Sequence, residues 1–404
     1  MTSFMTEKRR HWTATVAVGA VFFFAYSFLP LAAPPTFNSP DERANHHFAE
    51  LFAETGRLWF FEPLNLAADD RIHPRSMRVV DHFTVPGGFL GLPVLYGGAV
   101  KAFGTRVLPY ITPLLAVLAV LAWGALVGRW FGEKIGLVAG GLLLAHPVWW
   151  YQSARTLMPN VPFVSMLVIG AAFFWIRPMA STLARRQHRS VLTPYLDDLM
   201  AGIFAGLALF VRPSEISWML VAALAAALML RRDLPWRRLA IAGVAAGLAF
   251  APTFILNNAV YGHPFSSGYG AAFAGAPMNQ LPAGRASALF GSLTPYLFPL
   301  GFAPRTALRN FLTYGLAFFP WWSFLVGAAL ASFGVKTRRG AKISKNVSAF
   351  GAAAAAASIW LIFFYGSWIF SDNPDPDAVT IGSSYLRYWL PIFVLSTVPV
   401  AWLF

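Results

Sequence analysis

Long apolar runs that are almost free of charge recur along this chain, and they limit its folding more than any other feature. Trp12–Ala33, Val107–Val127 and Leu308–Phe333 are examples. A hydrocarbon core about 30 Å thick takes around 20 apolar residues per helix, and inside it each backbone N–H and C=O must find its partner within the segment. The chain is therefore read as an all-α, polytopic membrane protein. Of its 404 residues, 57% are hydrophobic and 12% charged, against about 25% charged in soluble domains. A soluble enzyme, a disordered chain and a β-barrel are excluded. There is no cysteine, so thiol and disulfide chemistry are excluded too.

Ten spans are expected, at 12–33, 107–127, 135–151, 160–176, 199–211, 214–230, 239–256, 308–333, 347–370 and 387–404, in one transmembrane domain over 1–404. The first, behind Lys8, Arg9 and Arg10 and without a small-residue cleavage site, reads as a retained anchor. The chain ends inside an apolar run at Phe404. The formal net charge of +14 would suggest nucleic acid in a soluble protein. Here 18 of the 31 Lys and Arg fall in residues 1–11, 128–134, 177–198, 231–238 and 334–346. That is the positive-inside pattern and marks these segments as cytoplasmic. Counting 86–103 as an eleventh span would reverse every later basic loop. This segment, broken by Pro93, Gly97, Gly98 and Lys101, is read as a helix lying at the interface. Residues 34–106 then form one external loop, and 257–306, long and nearly uncharged, form a second that covers a site.

The spans 107–127, 135–151, 160–176, 239–256 and 347–370 contain no charged residue. Ion-coupled carriers and pumps place ionisable groups at mid-membrane, so chemistry is expected at the external interface instead. The first loop opens Asn38-Ser39-Pro40-Asp41-Glu42. Ser39 suits a helix N-cap, Pro40 the first helical position, and Glu42 the reciprocal place in a capping box. Ala44, Phe48, Leu51, Phe52 and Leu58 mark one apolar face at helical spacing, which predicts an amphipathic helix along the membrane surface. Glu42 has a capping role. Asp41 has none, so it either complements the helix dipole or accepts a proton from an incoming hydroxyl or amine.

His46 and His47 face different sides of that helix, so at most one joins Asp41. Asp81 and His82 add carboxylate and imidazole groups without tight ligand spacing, and a solvated surface role is the ordinary one for each histidine. Arg155, Arg212 and Arg387 lie at external span ends, where the positive-inside bias does not explain them. Guanidinium groups there suit bidentate phosphate binding, and snorkelling is the alternative for each. Taken together, they favour an anionic amphiphile held at the surface. His263 and Tyr269 in the second loop, with Tyr385 beside Arg387 and Glu42 beside Asp41, are the expected substrate contacts. Trp149, Trp150 and Tyr151 are either sugar-stacking or interfacial aromatics.

Ser39-Pro40-Asp41-Glu42 ahead of a surface helix resembles the first-loop motif of the type C glycosyltransferases. These membrane enzymes use polyprenyl-phosphate sugars and include protein mannosyltransferases and the aminoarabinose transferases of lipid A. The helix 86–103 behind His82 and Pro86-Gly87 is similar to their second juxtamembrane helix. Ser153-Ala154-Arg155-Thr156-Leu157-Met158-Pro159-Asn160 is similar to their second external loop. Val211-Arg212-Pro213, Gly262-His263-Pro264-Phe265 and Leu386-Arg387-Tyr388-Trp389-Leu390-Pro391 follow in the right order. The resemblance implies an inverting transfer on the external face, with Asp41 as the base and Arg155, Arg212 and Arg387 on the donor phosphate. It implies that Asp81 or His82 occupies a second polar position, where some members place a metal. A divalent ion on Asp41, Asp81 and His82 is thus the one candidate cofactor.

Two features depart from the family. Asn160 stands where an acid usually follows the proline, and the soluble carboxy-terminal domain of many members is absent. The implied partners are a polyprenyl-phosphate sugar, a glycan, lipid or protein acceptor, and membrane lipids, with no nucleic acid. A bacterial inner membrane, with the site facing outward, fits the cysteine-free, Ala/Arg-rich composition. The alternatives are a lipid-linked glycan flippase, which would need a polar path through the spans, and an envelope-assembly scaffold. Neither would require Asp41.

Overall fold

The computed structural model describes residues 17–28, 37, 39–176, 193–269, 301–338, 344–370 and 378–404, and they are largely helical. The expected spans or loops at 12–16, 29–36, 177–192, 270–300, 339–343 and 371–377 lie outside the described residues. By length and apolar composition, four helical stretches can cross a membrane: Thr105–Phe131, Pro213–Leu230, Trp236–Tyr261 and Lys345–Gly366. Pro304–Ala317 and Pro320–Val335, bent by 97°, make a fifth if they are one span. Ala17–Phe28, Asn160–Trp175 and Leu390–Ala401 are shorter apolar helices. The described residues therefore do not by themselves give the ten expected spans.

Several expected runs are broken helices, and the breaks have local causes. The run 135–151 divides at His146, which is extended (φ −64, ψ 123) ahead of Pro147 and caps the helix Pro147–Ala154 by accepting from the Val148 N–H. The runs 199–211 and 214–230 divide at Arg212 (φ −142, ψ 82), because a residue before proline is driven out of the helical region.

The first long loop is more folded than an amphipathic helix on a lipid surface. The motif helix, Pro40–Thr55, starts with the expected capping box: the Glu42 N–H donates to Ser39 Oγ, and the Ser39 N–H to Glu42 Oε2. It ends at Gly56 (φ +72), whose N–H reaches the Phe52 carbonyl. Its apolar face is buried on protein. Phe48, Leu58, Val85, Leu90 and Val260 form a separate small core, with Leu51 and Phe52 packed against it.

A three-stranded antiparallel sheet supplies part of that core and departs from the all-α expectation. Its central strand, Phe83–Pro86, pairs with Phe60–Phe61 on one side and Met77–Val80 on the other. Val80 lies opposite Phe83, so Asp81-His82 is a two-residue hairpin loop, with both residues at positive φ (48° and 68°). That is the requirement of a type I′ turn. The β-branched and aromatic residues Val79, Val80, Phe83, Thr84 and Val85 around it are the strand signal.

The second surface helix, Gly91–Phe103, packs on both the motif helix and the main helical core, with Leu92, Tyr96 and Val100 buried. Two glycines permit this approach. A Cβ on Gly97 would lie 2.6 Å from the Ala49 carbonyl oxygen, and one on Gly91 2.0 Å from that of Phe210. The second contact joins the first loop to the end of the helix Thr193–Val211, next to Arg212. Gly91→Val is expected to destabilise the protein by roughly 1–3 kcal/mol through overpacking, read as a lowered unfolding midpoint in detergent. An unchanged midpoint would mean the two elements are not in this close contact.

Candidate active site

Asp41, in the first turn of the motif helix, opens onto a cavity of about 230 Å³. The described residues lining it come from distant parts of the chain: Asp41, Ala44 and Asn45; Arg75 and Ser76; Pro86 to Phe89; Leu92; Met158 to Asn160; Arg212; Tyr269; and Arg387 and Tyr388. Three guanidinium groups therefore face one carboxylate.

The Asp41 side chain, 40% exposed, accepts a hydrogen bond from Ser76 Oγ on Oδ1, and its Oδ2 lies 3.5 Å from Arg387 Nη1. Arg387 also donates to Ser384 Oγ at 2.9 Å. Its backbone carbonyl accepts from Asn160 Nδ2 at 3.1 Å. Asn160, the departure from the acidic pattern, thus lines the cavity and secures the backbone that carries Arg387.

Arg212 is 5% exposed and is held by a buried acid. Its Nε donates to Glu215 Oε1 at 2.9 Å and its Nη2 to the Tyr365 hydroxyl at 3.0 Å. Tyr365 and Trp218 both donate to Glu215. The Tyr388 ring stacks on Tyr365 at 4.4 Å and lies within 5.1 Å of both guanidinium carbons. Cation–π attraction to both arginines places this ring between two like charges. Sequence reasoning missed Arg75, Ser76, Asn45 and Tyr388, and it missed Glu215 as the partner of Arg212. The Glu215 signal was available, since an acid three residues after Arg212-Pro213 sits on the next turn.

Arg155 has a different partner. Its Nε and Nη2 fork onto Glu42 Oε1 and Oε2 at 3.2 and 2.7 Å, with both side chains under 10% exposed. Neither residue is among those lining the cavity. Tyr385, also expected at the substrate, is buried, donates to the Trp368 carbonyl and accepts from Asn310. The His263 ring nitrogen accepts from the Phe265 N–H, on an exposed turn outside the lining. Tyr269 does line the cavity, against Phe89 at 5.0 Å. Trp149 is buried and Trp150 exposed, and neither lines it. His46 and His47 are also absent from the lining. Burial pushes the His46 imidazole below the ordinary histidine range despite Glu50 at 3.2 Å.

Residues 261–268 are tied to the first loop, next to Tyr269 on the cavity wall. Arg78 donates to the Ser267 and Gly268 carbonyls, the Gly268 N–H to the Gly88 carbonyl, and the Tyr261 hydroxyl to the Pro86 and Gly88 carbonyls. A Cβ on Gly268 would lie 2.3 Å from Gly88 N, so glycine is required there.

The expected metal set is not assembled. Asp81 and His82 are consumed by the hairpin turn, and the His82 ring pairs with Asp70 at 2.7 Å. Among the described residues, no group of three or more His, Asp or Glu could hold a metal ion. One carboxylate against three guanidinium groups is suited to an anion and unsuited to a divalent cation.

The fold is shared with solved membrane-protein structures at low sequence identity. The solved structures it resembles include the ArnT of Cupriavidus metallidurans bound to undecaprenyl phosphate, with a TM-score of 0.56 and 15% identity over 97% of this chain. The apo form of the same protein gives a TM-score of 0.55 and 15% identity over 98%. The chain spans 59% of the length of that protein. No protein-family model and no curated protein matches the sequence.

The buried pair gives a prediction that decides what Arg155 does. Arg155→Met alone strands a buried carboxylate and is expected to cost roughly 3–5 kcal/mol, with Glu42→Leu/Arg155→Met recovering most of it. Thermal unfolding of the three proteins in one detergent measures this. Normal stability in the single variant would return Arg155 to the ligand-binding candidates.

Proposed function

We propose that this protein is an inverting glycosyltransferase that moves a sugar from a polyprenyl-phosphate donor to an acceptor on the external face of the membrane. The observation that carries the proposal is one wall of the cavity, where the Asp41 carboxylate stands 3.5 Å from Arg387 in the same chamber as Arg212. A proton acceptor thus adjoins an anion site, in a fold shared with a protein crystallised with undecaprenyl phosphate.

In the proposed reaction the acceptor's O–H or N–H gives its proton to Asp41, and the freed electron pair bonds to the sugar's C1. The bond from C1 to the phosphate oxygen breaks, and its electrons leave on the polyprenyl phosphate. Arg212 and Arg387 are the proposed phosphate ligands. Fixed donors aimed at developing charge stabilise the departing anion without reorganising, so no general acid is needed. Glu215, Tyr365 and Tyr388 hold Arg212, and Asn160 holds the backbone of Arg387. Arg155, expected on the phosphate, is instead assigned to anchoring the motif helix through Glu42. Tyr269 remains the proposed substrate contact of the second loop.

The test uses protein in lipid, labelled donors differing in sugar, and a membrane extract as the acceptor source. Asp41→Asn is expected to lower turnover roughly 100- to 10,000-fold, the usual range for a lost general base, with donor binding retained. Equal turnover in both proteins would end the role of Asp41. Donor binding without turnover in either, once an acceptor is supplied, would favour the transporter or scaffold reading. Arg387→Gln is expected to weaken donor binding roughly 10-fold, the loss of one charge-assisted contact. Unchanged donor affinity in this variant would remove Arg387 from the phosphate site.

A further inference from the structure

Ser76 sits where the backbone favours glycine. It is the third residue of a turn, Pro74-Arg75-Ser76-Met77, closed by the Met77 N–H on the Pro74 carbonyl at 3.1 Å. Its φ is +68°, a conformation that favours glycine and, after it, Asn or Asp, and that strains a serine. The neighbouring strand holds it there. The Gly87 N–H donates to the Ser76 carbonyl at 2.9 Å, and a Cβ on Gly87 would lie 2.7 Å from that carbonyl carbon and oxygen. A glycine is therefore required at 87 so that a serine can occupy 76 in this conformation. The strained residue delivers one polar atom to the cavity: Ser76 Oγ, which donates to Asp41 Oδ1.

That hydrogen bond has a geometric consequence for the carboxylate. Rotation about the terminal torsion of an aspartate is broad, and Asp41 is 40% exposed, so packing alone does not fix it. With Ser76 on Oδ1 and Arg387 on the Oδ2 side, the carboxylate plane is set, and the remaining lone pairs are directed into the chamber where an acceptor would enter. Strain at a functional site persists only where the surroundings over-determine it, and Gly87 and the turn do so here.

We propose that Ser76 is a positioning residue for the transfer reaction, fixing the orientation of the Asp41 carboxylate, and that its strained backbone exists to bring the hydroxyl there. This rests on the reading of Asp41 as the base. Ser76 exchanges no proton with the substrate. The acceptor's proton goes to Asp41, and the Ser76 hydroxyl keeps its own throughout.

The experiment compares wild type, Ser76→Gly, Ser76→Asn and Asp41→Asn, each as full chain in lipid, by kcat, donor KM and thermal midpoint. Ser76→Gly relieves the strain and removes the hydroxyl. It is expected to keep or raise the thermal midpoint while kcat falls roughly 10-fold, the worth of one hydrogen bond to a charged group. Its donor KM should stay within about twofold, because uniform binding is untouched. Ser76→Asn tolerates the left-handed backbone and supplies an amide donor, so it should recover most of kcat. Wild-type kcat in Ser76→Gly beside an inactive Asp41→Asn would overturn the positioning role and leave the base intact. So would a lowered midpoint that accounts for the lost activity, or a Ser76→Asn no better than Ser76→Gly. Full turnover in Asp41→Asn would remove the base reading itself, and the role of Ser76 with it.

Discussion

A guanidinium buried beside apolar helices must find a carboxylate, and in this protein that requirement fixes the site. Glu42 meets it for Arg155 while closing the capping box on Ser39. One side chain thereby starts the motif helix and ties it to the loop after the helix Pro147–Ala154. Asp41 is the preceding residue, so its place at the cavity follows from the pairing of its neighbour. Glu215 meets the same requirement for Arg212. The two acids differ in what they leave available. The Arg155–Glu42 pair is absent from the cavity lining, whereas Arg212 keeps a surface on it. Both arginines are buried with an acid, so what separates them is that Arg212 lines the cavity and Arg155 does not.

The cavity's balance of charge narrows the chemistry it suits. Among the described residues, three arginines and one aspartate line it, and Asn160 contributes an amide where an additional carboxylate would have offset another guanidinium. Such a chamber stabilises an anion and leaves a single group able to take a proton. A phosphate that departs as a stable anion needs no more than this. The second long loop is held to the first mainly by bonds to backbone carbonyls, at Pro86, Gly88, Ser267 and Gly268. The contact between the two loops beside the cavity therefore depends on glycines and a few side-chain donors.

Much of this was legible in the sequence, for physical reasons that can be named. The capping box at Ser39 and Glu42, the apolar face of the motif helix and the special place of Asp41 all follow from local rules within a few residues. The same is true of arginines at span ends. What was illegible required knowing which distant segments meet. Arg155 reads the same as Arg212 and Arg387 until Glu42 is found against it. Asp81 and His82 read as candidate ligands until the β-branched and aromatic residues Val79, Val80, Phe83, Thr84 and Val85 are taken as two strands around a two-residue turn. Ser76 carried no signal at all, because its role depends on a positive φ in the turn Pro74–Met77 and on the bond its carbonyl accepts from Gly87, just past the next strand. The break at Arg212, before proline, was read as the boundary between 199–211 and 214–230, whereas the one at His146, also before proline, was obscured inside the apolar run 135–151.

The central claim is that a single carboxylate activates the acceptor for direct displacement at the sugar's C1. The anomeric configuration of the product, read by NMR from the coupling between C1 and its proton, tests this most directly. With one base and, among the described residues, no second carboxylate lining the cavity to act as a nucleophile, the account predicts inversion relative to the polyprenyl-phosphate donor. A product that retains the donor's configuration would require a route other than single backside displacement and would contradict it.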